Sequence, residues 1–562
     1  MRIWLVIFSL LFFTYGHAKP ELPPSAAIAS ASKYATDAGI QILKQGGNAF
    51  DAAIAVATML NVTEPYNSGL GGGGFILFYS AKRQQYLFID ARETAPKAAS
   101  HNMYLDEYDQ VIPNQSLNGP LAAAIPGLPA ALDYLAKRHG KLPLSQTVAP
   151  AIAFAEKGIQ VGPLLQSYIE QRFSVIKEYP GAAKIFLKDN HVPQVGDVIK
   201  QADLANTLRI FSKFGADGFY RGEIAQKLVQ GVRESGGVWT LKDLANYRVI
   251  TRKPLKSQHG DLTLITSPPP SAGGVALATM LNILDHFDIA QMPAITQIQL
   301  TIEVMRRAFF DRSHYLGDPA FVMMPIKYLL SKSHAYKMAS SITLNKASSS
   351  VELSSKKFSN KKQHHTTHFS IIDTEGNMIA ATLSLNYRFG SGFIPQGTGV
   401  ILNDVMDDFS STLTARNVYG VIGSKANLIA SKKRPLSSMT PSFLIEPDKI
   451  AILGAPGGSW IPSILLHAVL DFKRGNLPDS WVRLGRYHHQ YIPDKVYVEA
   501  NGLSQENKLA LEKMGYKIHQ LSTPYSDMQA ILWDKCNHKI YAASDPRRLG
   551  KATVTTQGLD QR

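Results

Sequence analysis

The sequence predicts a layered architecture of the α/β or α+β class, with strands packed between helices. Two observations support this fold class. Helical periodicity dominates the first half of the chain and is interrupted by short strands, whereas the second half consists largely of strand-like segments. Helices and strands that alternate in this way bury their apolar faces against one another in layers. With 562 residues, the chain is long enough for a large domain or two.

Helix signals are clearest in the first half. Asn48 can cap a helix N-terminus, and Asp51, three residues later, can bond back to the capping residue. Pro129 and Pro150 each lie near the predicted start of a later helix, where the missing N–H of proline costs nothing. The sequence therefore predicts helices at residues 52–60, 128–137, 150–157 and 298–310, interrupted by short strands at residues 75–79 and 87–90.

The second half contains pairs of strand-like segments joined by polar turns. Predicted strands cover residues 369–373, 378–384, 442–446, 450–453, 530–533 and 540–543. Between the two halves, residues 347–365 are polar and poor in large apolar side chains, which is typical of an exposed linker. A strand is predicted to begin abruptly at Thr366, so a hydroxyl group stands where the linker meets the core.

The composition is that of a globular enzyme, with 45% apolar and 18% charged residues. We interpret the net charge of +15 as a solvated basic surface, because no zinc-finger spacing, RNA-binding signature or basic helix indicates nucleic acid. Cys536 is the only cysteine, which excludes an intrachain disulfide and a cysteine-based metal site. The histidine pairs at 364–365 and 488–489 lack a metal-ligand pattern, so we expect no catalytic metal and no cofactor.

The N-terminus has the pattern of a signal peptide. A positive Met1-Arg2 end precedes an apolar run at residues 3–13 and a small-x-small cleavage motif at residues 16–18. The run is shorter than the roughly 20 apolar residues of a bilayer span, and an uncleaved anchor is the alternative. We therefore expect residues 1–18 to be removed and the mature protein to be exported, periplasmic or secreted from a bacterium, without a stable membrane anchor.

Thr366 is a candidate N-terminal nucleophile. A threonine hydroxyl attacks poorly until a base removes its proton. If the peptide bond before Thr366 is cut, the freed α-amine has a reference pKa of about 7.7–8.0 and lies within reach of its own hydroxyl. A threonine at the start of a strand is commonly no more than a strand former, so this position alone does not decide between the two interpretations.

A series of motifs favours the nucleophile. In chain order they lie at residues 46–53, 68–75 (SGLGGGGF), 92–96, 126–127, 306–319 (RRAFFDRSHYLGDP), 366–370, 384–386, 403–410 (NDVMDDFS), 434–441, 454–459 and 544–548. In order and spacing these motifs resemble the γ-glutamyltranspeptidase family over nearly the whole mature chain. The glycine run at 71–74 lacks the Lys-Ser/Thr ending of a phosphate loop, and we expect it to permit tight backbone packing near Thr366.

The resemblance implies the α+β fold of the N-terminal-nucleophile hydrolases, a four-layer αββα sandwich with two central sheets. It also implies that the precursor cuts itself between His365 and Thr366. The products would be a large subunit, residues 19–365, and a small catalytic subunit, residues 366–562, which stay together as a heterodimer. The substrate would be glutathione or another γ-glutamyl compound, and the γ-glutamyl group would pass to water or to an amino-acid or peptide acceptor.

The same resemblance implies roles for individual residues. Thr366 would attack, with Ser384 beside its amine, and the backbone N–H groups of Gly457 and Gly458 would stabilise the oxyanion. The substrate α-carboxylate would bind Arg92, Ser437 and Ser438, and the α-ammonium group would bind Asn386 and Asp408. Tyr419, in a stretch like the family's lid loop, would cover the bound glutamyl group. The alternatives are a structural ion pair at Arg92, a turn at 437–438 and an ordinary surface tyrosine at 419.

The sequence departs from the family at one binding position. Val405 stands where the family usually has Glu or Gln, and a valine cannot bind the α-ammonium group. We expect weaker or altered recognition of that group, with Asp404 directed elsewhere. Two other functions stay open, the first of them because of this departure. One is a related amidase, such as a cephalosporin acylase-like or poly-γ-glutamate-processing enzyme, and the other is a homologue that binds without catalysis.

Overall fold

Two antiparallel sheets form the centre of the molecule in a computed structural model that describes residues 21–350, 366–413 and 415–555. Its strands are β1 (Ala27–Ser30), β2 (Gly73–Ser80), β3 (Gln85–Ala91), β4 (Ile159–Gln160), β5 (Val198–Ile199), β6 (Ile250–Arg252), β7 (Leu255–His259), β8 (Leu262–Thr266), β9 (Thr367–Ile372), β10 (Met378–Ser384), β11 (Ser442–Ile445), β12 (Lys449–Gly454), β13 (Tyr487–His488), β14 (Val496–Val498), β15 (Ile518–Gln520), β16 (Gln529–Asp534), β17 (Lys539–Ser544) and β18 (Lys551–Val554).

The larger sheet has the strand order β18-β1-β9-β10-β2-β3-β6, and the smaller has the order β17-β16-β12-β11-β8-β7. Neighbouring strands in both sheets run antiparallel. Strands β13, β14 and β15 form a small separate sheet, and β4 pairs with β5. The hairpin β9–β10 lies in the middle of the larger sheet, so the segment that begins at Thr366 is part of the core.

Helices surround the two sheets. They are α1 (Lys33–Lys44), α2 (Ala49–Thr63), α3 (Leu128–Arg138), α4 (Leu144–Lys157), α5 (Pro163–Gln171), α6 (Phe173–Glu178), α7 (Pro180–Phe186), α8 (Ala202–Phe214), α9 (Ala216–Tyr220), α10 (Gly222–Glu234), α11 (Leu241–Asn246), α12 (Gly273–Leu284), α13 (Ala294–Tyr315), α14 (Ile326–Leu329), α15 (Lys332–Ser340), α16 (Ile461–Lys473), α17 (Pro478–Arg483) and α18 (Gln505–Lys513).

The alternation of side chains along β2 shows how the layers stack. Ile76 and Phe78 belong to the apolar cluster that contains buried residues of α1, α2, α4 and α8. Phe75 and Leu77 point to the other face and belong to the cluster that contains the smaller sheet with α12, α13 and α16. Because successive strand residues face opposite sides of a sheet, the larger sheet is covered by helices on one face and by the smaller sheet on the other. The expected four-layer αββα sandwich is confirmed.

The predicted helices and strands are confirmed, with one error of detail. Asn48 and Asp51 form a reciprocal capping box at the start of α2. Pro150 does not open its helix as predicted, because α4 begins six residues earlier at Leu144 and Pro150 lies inside it. The buried side chains of α4 lie on both sides of Pro150, and tertiary packing of this face offsets the hydrogen bond that proline removes. Cys536 lies exposed in the predicted turn between β16 and β17.

Several expectations fall on residues outside the described part of the chain. The signal peptide lies within residues 1–20, and most of the linker, including His365, lies within residues 351–365. The fold tests neither the signal peptide nor residues 351–365, whereas the start of the predicted exposed linker is wrong in one respect, because Ser350 is buried and bonded to Arg306. Among the residues that the structure does describe, no helix has the length and apolar character needed to cross a bilayer.

Candidate active site

Four neighbouring strands of the larger sheet, β9, β10, β2 and β3, bring predicted residues together at one end of the strands. Thr366 directly precedes β9, and Ser384 ends β10, which pairs antiparallel with β9. Ser384 pairs in turn with Gly73 at the start of β2, and Arg92 directly follows β3. Residues that are far apart in the sequence lie in one row because the antiparallel strands that carry them begin or end at the same end of the sheet.

The glycine run of residues 71–74 permits this row to form. A Cβ atom on Gly72 would lie 2.2 Å from the carbonyl oxygen of Ser384. On Gly73 it would lie 2.3 Å from the oxygen of Ala91, and on Gly74 2.2 Å from that of Thr382. These backbone atoms cannot move aside as a flexible side chain would. The expectation that this run serves tight backbone packing near Thr366 is confirmed.

Thr366 is buried beside a second hydroxyl group. Its Oγ1 lies 3.4 Å from the Oγ of Ser384, and only 3% of the residue is exposed. The backbone N–H of Asn386 donates to the same Ser384 oxygen at 2.8 Å. Because that N–H holds the Ser384 hydroxyl in place, the serine can fix the orientation of the threonine hydroxyl. The structure thus brings Thr366 and Ser384 together as the sequence predicted.

Two pockets meet at Thr366. The inner pocket has a volume of about 20 Å³ and is lined by the predicted residues Arg92, Thr366, Ser384, Asn386, Asp408, Tyr419, Ser437, Ser438 and Gly458. The outer pocket has a volume of about 540 Å³. Its wall includes Thr366, Tyr419 and Gly457, together with the aromatic side chains of Trp460, Tyr497 and Tyr525. A substrate bound across Thr366 can therefore place one part in each pocket.

The inner pocket contains a buried ion pair. Arg92 binds the carboxylate of Asp408, and its Nε donates to the carbonyl oxygen of Pro435 at 3.1 Å. Burial raises the pKa of Asp408, and the neighbouring guanidinium groups of Arg92 and Arg312 oppose this rise. Glu93 lies 3.4 Å from Arg92, and burial raises the pKa of this carboxyl to about 7. Arg92 thus has both an ion pair and a place on the pocket wall.

Arg312 is a pocket residue that the sequence did not single out. Its Nε donates to the Oγ of Ser438 at 3.3 Å, and 6% of the residue is exposed. Its two terminal nitrogens donate to no acceptor in the described part of the chain. Burial lowers the pKa of Arg312 to about 10, which leaves it charged at neutral pH. Its only sequence signal was a place within the motif at residues 306–319.

Asn386 faces the inner pocket with its side chain held in place. It adopts a positive φ of 80°, a conformation that asparagine tolerates better than most residues. Its Nδ2 donates to the carbonyl oxygen of Asp404 at 3.1 Å. That contact leaves the amide oxygen to accept from a bound group. On the same wall, the Oγ of Ser437 accepts from the N–H of Met439 at 3.1 Å, so its hydroxyl proton can point to a ligand.

Tyr419 separates the two pockets. Its hydroxyl donates to the carbonyl oxygen of Asn386 at 2.7 Å, and only 7% of the residue is exposed. It lines both pockets, with Thr366 at the same boundary. The alternative of an ordinary surface tyrosine is therefore wrong, because the hydroxyl is bound inside the protein. The position is that of an aromatic cover over the inner pocket.

Gly457 and Gly458 follow β12 and reach the site from the smaller sheet. Their φ angles of 135° and 53° favour glycine over other residues. Neither backbone N–H donates to another described residue, whereas the Gly457 carbonyl accepts from the Tyr525 hydroxyl at 2.5 Å and from the Trp460 N–H at 3.0 Å. Gly457 lines the outer pocket and Gly458 the inner one. Their N–H groups are thus available to an oxygen atom near Thr366.

Comparison with known proteins agrees with this arrangement. The family model described as Gamma-glutamyltranspeptidase matches residues 35–555. The chain belongs to the γ-glutamyltranspeptidase family. Membership in this family identifies the chain as an enzyme of the hydrolase and acyltransferase kind.

Relatives in the γ-glutamyltranspeptidase family span nearly the same length. The glutathione hydrolase proenzyme of Escherichia coli is 36% identical over 540 residues, covering 95% of this chain and 92% of the relative. That of Pseudomonas aeruginosa is 38% identical over 536 residues, covering 94% of each chain. Among solved structures, a cephalosporin acylase from Bacillus halodurans superposes with a TM-score of 0.83 at 26% identity, covering 98% of this chain and 99% of that one.

Val405 lies in an apolar environment outside the inner pocket. Val405 is fully buried in an apolar cluster with Tyr104, Ala124 and Phe409, and it does not line the inner pocket. Asp404 accepts the N–H of Tyr387 at 2.8 Å and is also absent from the pocket wall. The expectation that Asp404 points elsewhere is confirmed. The expected absence of a metal and of a cofactor stays a prediction.

Proposed function

We propose that this chain is a proenzyme that cuts itself between His365 and Thr366 and then transfers γ-glutamyl groups from glutathione and related amides. The observation that carries the proposal is the position of Thr366. It is buried beside Ser384, at the junction of a charged inner pocket and a wide outer pocket. Cleavage would leave a large subunit, residues 19–365, and a small subunit, residues 366–562, which would stay together because strands from both form each central sheet.

The chemical step follows from the groups around Thr366. Its Oγ attacks the γ-carbonyl carbon, and the hydroxyl proton passes to the α-amine that cleavage has freed. The N–H groups of Gly457 and Gly458 hold the negative oxygen of the intermediate, a contribution typically of about 10²–10³ in rate. When the intermediate collapses, the C–N bond breaks and the leaving nitrogen takes the proton. Water or an acceptor amine then attacks the ester and restores Thr366.

Recognition of the glutamyl group is explained by the charges of the inner pocket. Arg92 is paired with Asp408, whereas Arg312 has a neutral partner in Ser438. The pocket therefore has an excess positive charge, which an α-carboxylate would balance at Arg312 and Arg92, with Ser437 and Ser438 as hydroxyl donors. The α-ammonium group would share the carboxylate of Asp408 and the amide oxygen of Asn386.

The cover of the inner pocket must move for a donor to bind. A volume of about 20 Å³ holds little more than one water molecule, far less than a glutamyl group. Tyr419 forms the boundary with the outer pocket, and its hydroxyl donates a hydrogen bond to the carbonyl oxygen of Asn386. We infer that Tyr419 opens to admit the donor and closes over it, which limits the access of water to the ester.

Self-cleavage and catalysis can be tested together. Wild-type protein should give two bands on a denaturing gel, and the smaller band should begin at Thr366 on N-terminal sequencing. A Thr366→Ala variant should stay one uncut chain and lose activity on γ-glutamyl amides, because it lacks the attacking hydroxyl. Active wild-type protein that runs as a single uncut chain would contradict the proposal and would favour a different nucleophile.

A related amidase is the second candidate, favoured by the similarity to a cephalosporin acylase. Glutathione and a glutaryl amide, which lacks the α-amine, separate the two candidates. The proposal expects glutathione to be the better substrate, since Asp408 and Asn386 lie where an α-ammonium group would bind. Faster cleavage of the glutaryl amide would favour the acylase. A chain that is neither cut nor active would favour a homologue that binds without catalysis.

The cellular location of the protein is inferred from the N-terminal sequence pattern alone. We propose that residues 1–18 direct export to the periplasm or beyond and are then removed. The mature large subunit would then begin near Lys19. N-terminal sequencing of the larger band from a periplasmic fraction tests this, and a band that retains Met1 would favour the uncleaved anchor.

A further inference from the structure

Two arginines from distant parts of the chain meet at the outer pocket. Arg388 follows β10, and Arg548 lies between β17 and β18; both line the outer pocket together with Thr366. Their guanidinium carbons lie 3.7 Å and 5.4 Å from the centre of the Tyr168 ring on α5. Contact with an aromatic face orients a guanidinium group while its N–H donors stay directed outward in the plane of the group.

Two buried carboxyl groups lie near Arg548 without forming an ion pair with it. In the described part of the chain, the Arg548 side chain forms no ion pair and no hydrogen bond. Glu64 acts on it electrostatically, but burial raises the pKa of this carboxyl. Asp527 lines the same pocket, and burial together with Glu64 raises its pKa well above the usual range, which favours its neutral form. Arg388 donates to the neutral amide oxygen of Gln171. Both guanidinium groups therefore bring positive charge to this wall of the outer pocket.

The position of the pocket determines which part of a substrate would reach this charge. If the glutamyl group occupies the inner pocket, its γ-carbonyl lies at Thr366, and the amide nitrogen with its substituent extends into the outer pocket. A volume of about 540 Å³ accommodates a substituent the size of a dipeptide. This step rests on the proposed function, since it requires a γ-glutamyl donor.

We propose that Arg388 and Arg548 bind a carboxylate carried by the leaving amine, so that the enzyme selects γ-glutamyl amides of amino acids and peptides over amides of uncharged amines. A planar guanidinium group is well suited to a carboxylate, because two parallel N–H donors match its two oxygens. The carboxylate takes no part in bond breaking. An acceptor amine enters by the path through which the leaving amine departs, so acceptors with a carboxylate are favoured by the same contact.

Two chromogenic substrates that differ by one carboxylate test this selection. They are γ-glutamyl p-nitroanilide and its analogue with a carboxylate on the leaving ring. For the processed wild-type enzyme we expect kcat/KM to be about tenfold higher for the carboxylated substrate, the effect of one charge-assisted hydrogen bond. Arg548→Gln and Arg388→Gln should each reduce this ratio towards one, Arg548→Lys should keep part of it, and high salt should lower it in the wild type.

Arg221→Gln is the matched control, because Arg221 is an exposed arginine that lines neither pocket. Its substrate ratio should equal that of the wild type. Equal ratios in the wild type and both glutamine variants would overturn the inference, as would a wild-type ratio that does not respond to salt. If one glutamine variant does not cleave itself into two subunits, the substrate ratio of the other variant and the salt dependence of the wild-type ratio still test the inference. A wild type that turns over neither substrate would instead contradict the proposed function.

Discussion

The inner and outer pockets differ both in size and in the way their charges are arranged. The inner pocket, of about 20 Å³, combines an ion pair between Arg92 and Asp408 with the additional charge of Arg312. The outer pocket is more than an order of magnitude larger, at about 540 Å³, and combines aromatic walls with the two arginines at Tyr168. Charges of both signs at fixed positions suit a zwitterionic group, whereas one sign of charge in a wide space suits varied acids.

The origin of the two walls explains this difference. The inner pocket contains Arg92, Thr366 and Ser384, which lie at strand ends of the larger sheet, and a sheet holds such side chains in fixed positions. Much of the outer pocket comes from segments between elements, including residues 519–527 around the end of β15 and Arg548 before β18. Connecting segments tolerate change more readily than strands. We infer that the donor is recognised strictly and the leaving group more loosely.

Among substitutions that test the difference between the two pockets, a change at Asp408 should reduce kcat/KM most. Asp408→Asn keeps the shape of the side chain but removes the charge that pairs with Arg92 and would bind the α-ammonium group. Loss of one partner of a buried charge pair costs about 2–5 kcal/mol, so kcat/KM should fall at least about 30-fold. Both anilide substrates should be affected equally, because they share the same glutamyl group.

Asp479→Asn is the control for this change, since Asp479 forms an exposed ion pair with Arg483 at 3.0 Å. It should leave kcat/KM unchanged. If Asp408→Asn changed the ratio between the two anilides while leaving activity on the uncharged one intact, the two pockets would not be separate recognition sites.

Arg312 tests whether the inner pocket has a second group for the α-carboxylate. Arg312→Gln removes the charge that lies beside Ser438 on the pocket wall, and a charge-assisted hydrogen bond contributes about 1.5–3 kcal/mol. We expect KM to rise about tenfold or more for both anilides, with self-cleavage retained and partial recovery in Arg312→Lys. The exposed Arg209, which pairs with Glu156, provides the control variant Arg209→Gln. An unchanged KM would limit Arg312 to a structural role.

Val405 should have the smallest effect on activity. The sequence predicts weaker α-ammonium recognition at this position, but Val405 packs among apolar side chains outside the pocket wall. A Val405→Glu substitution should therefore destabilise the fold by about 1–3 kcal/mol in denaturant unfolding and leave KM unchanged. Val405→Gln separates the effect of charge from that of size. A several-fold lower KM in Val405→Glu would show that the longer side chain reaches the substrate and that the valine weakens binding.

Local features of this protein were determined by the sequence itself. The capping box of Asn48 and Asp51 and the hairpin that begins after Thr366 depend on residues close together in the sequence. Capping and strand alternation follow from short-range geometry, so they can be predicted from a short segment. The motifs, taken in order, also indicated the inner-pocket residues around Thr366.

Tertiary structure alone decided which groups face one another across the pockets. Arg312 became a pocket residue because α13 meets the segment that contains Ser438, and Tyr419 was buried because its hydroxyl reaches Asn386. Arg388 and Arg548 contact the same ring only because β10, the C-terminal segment and α5 converge. Burial, pairing and charge balance are properties of these long-range contacts, and no short segment of the chain encodes them.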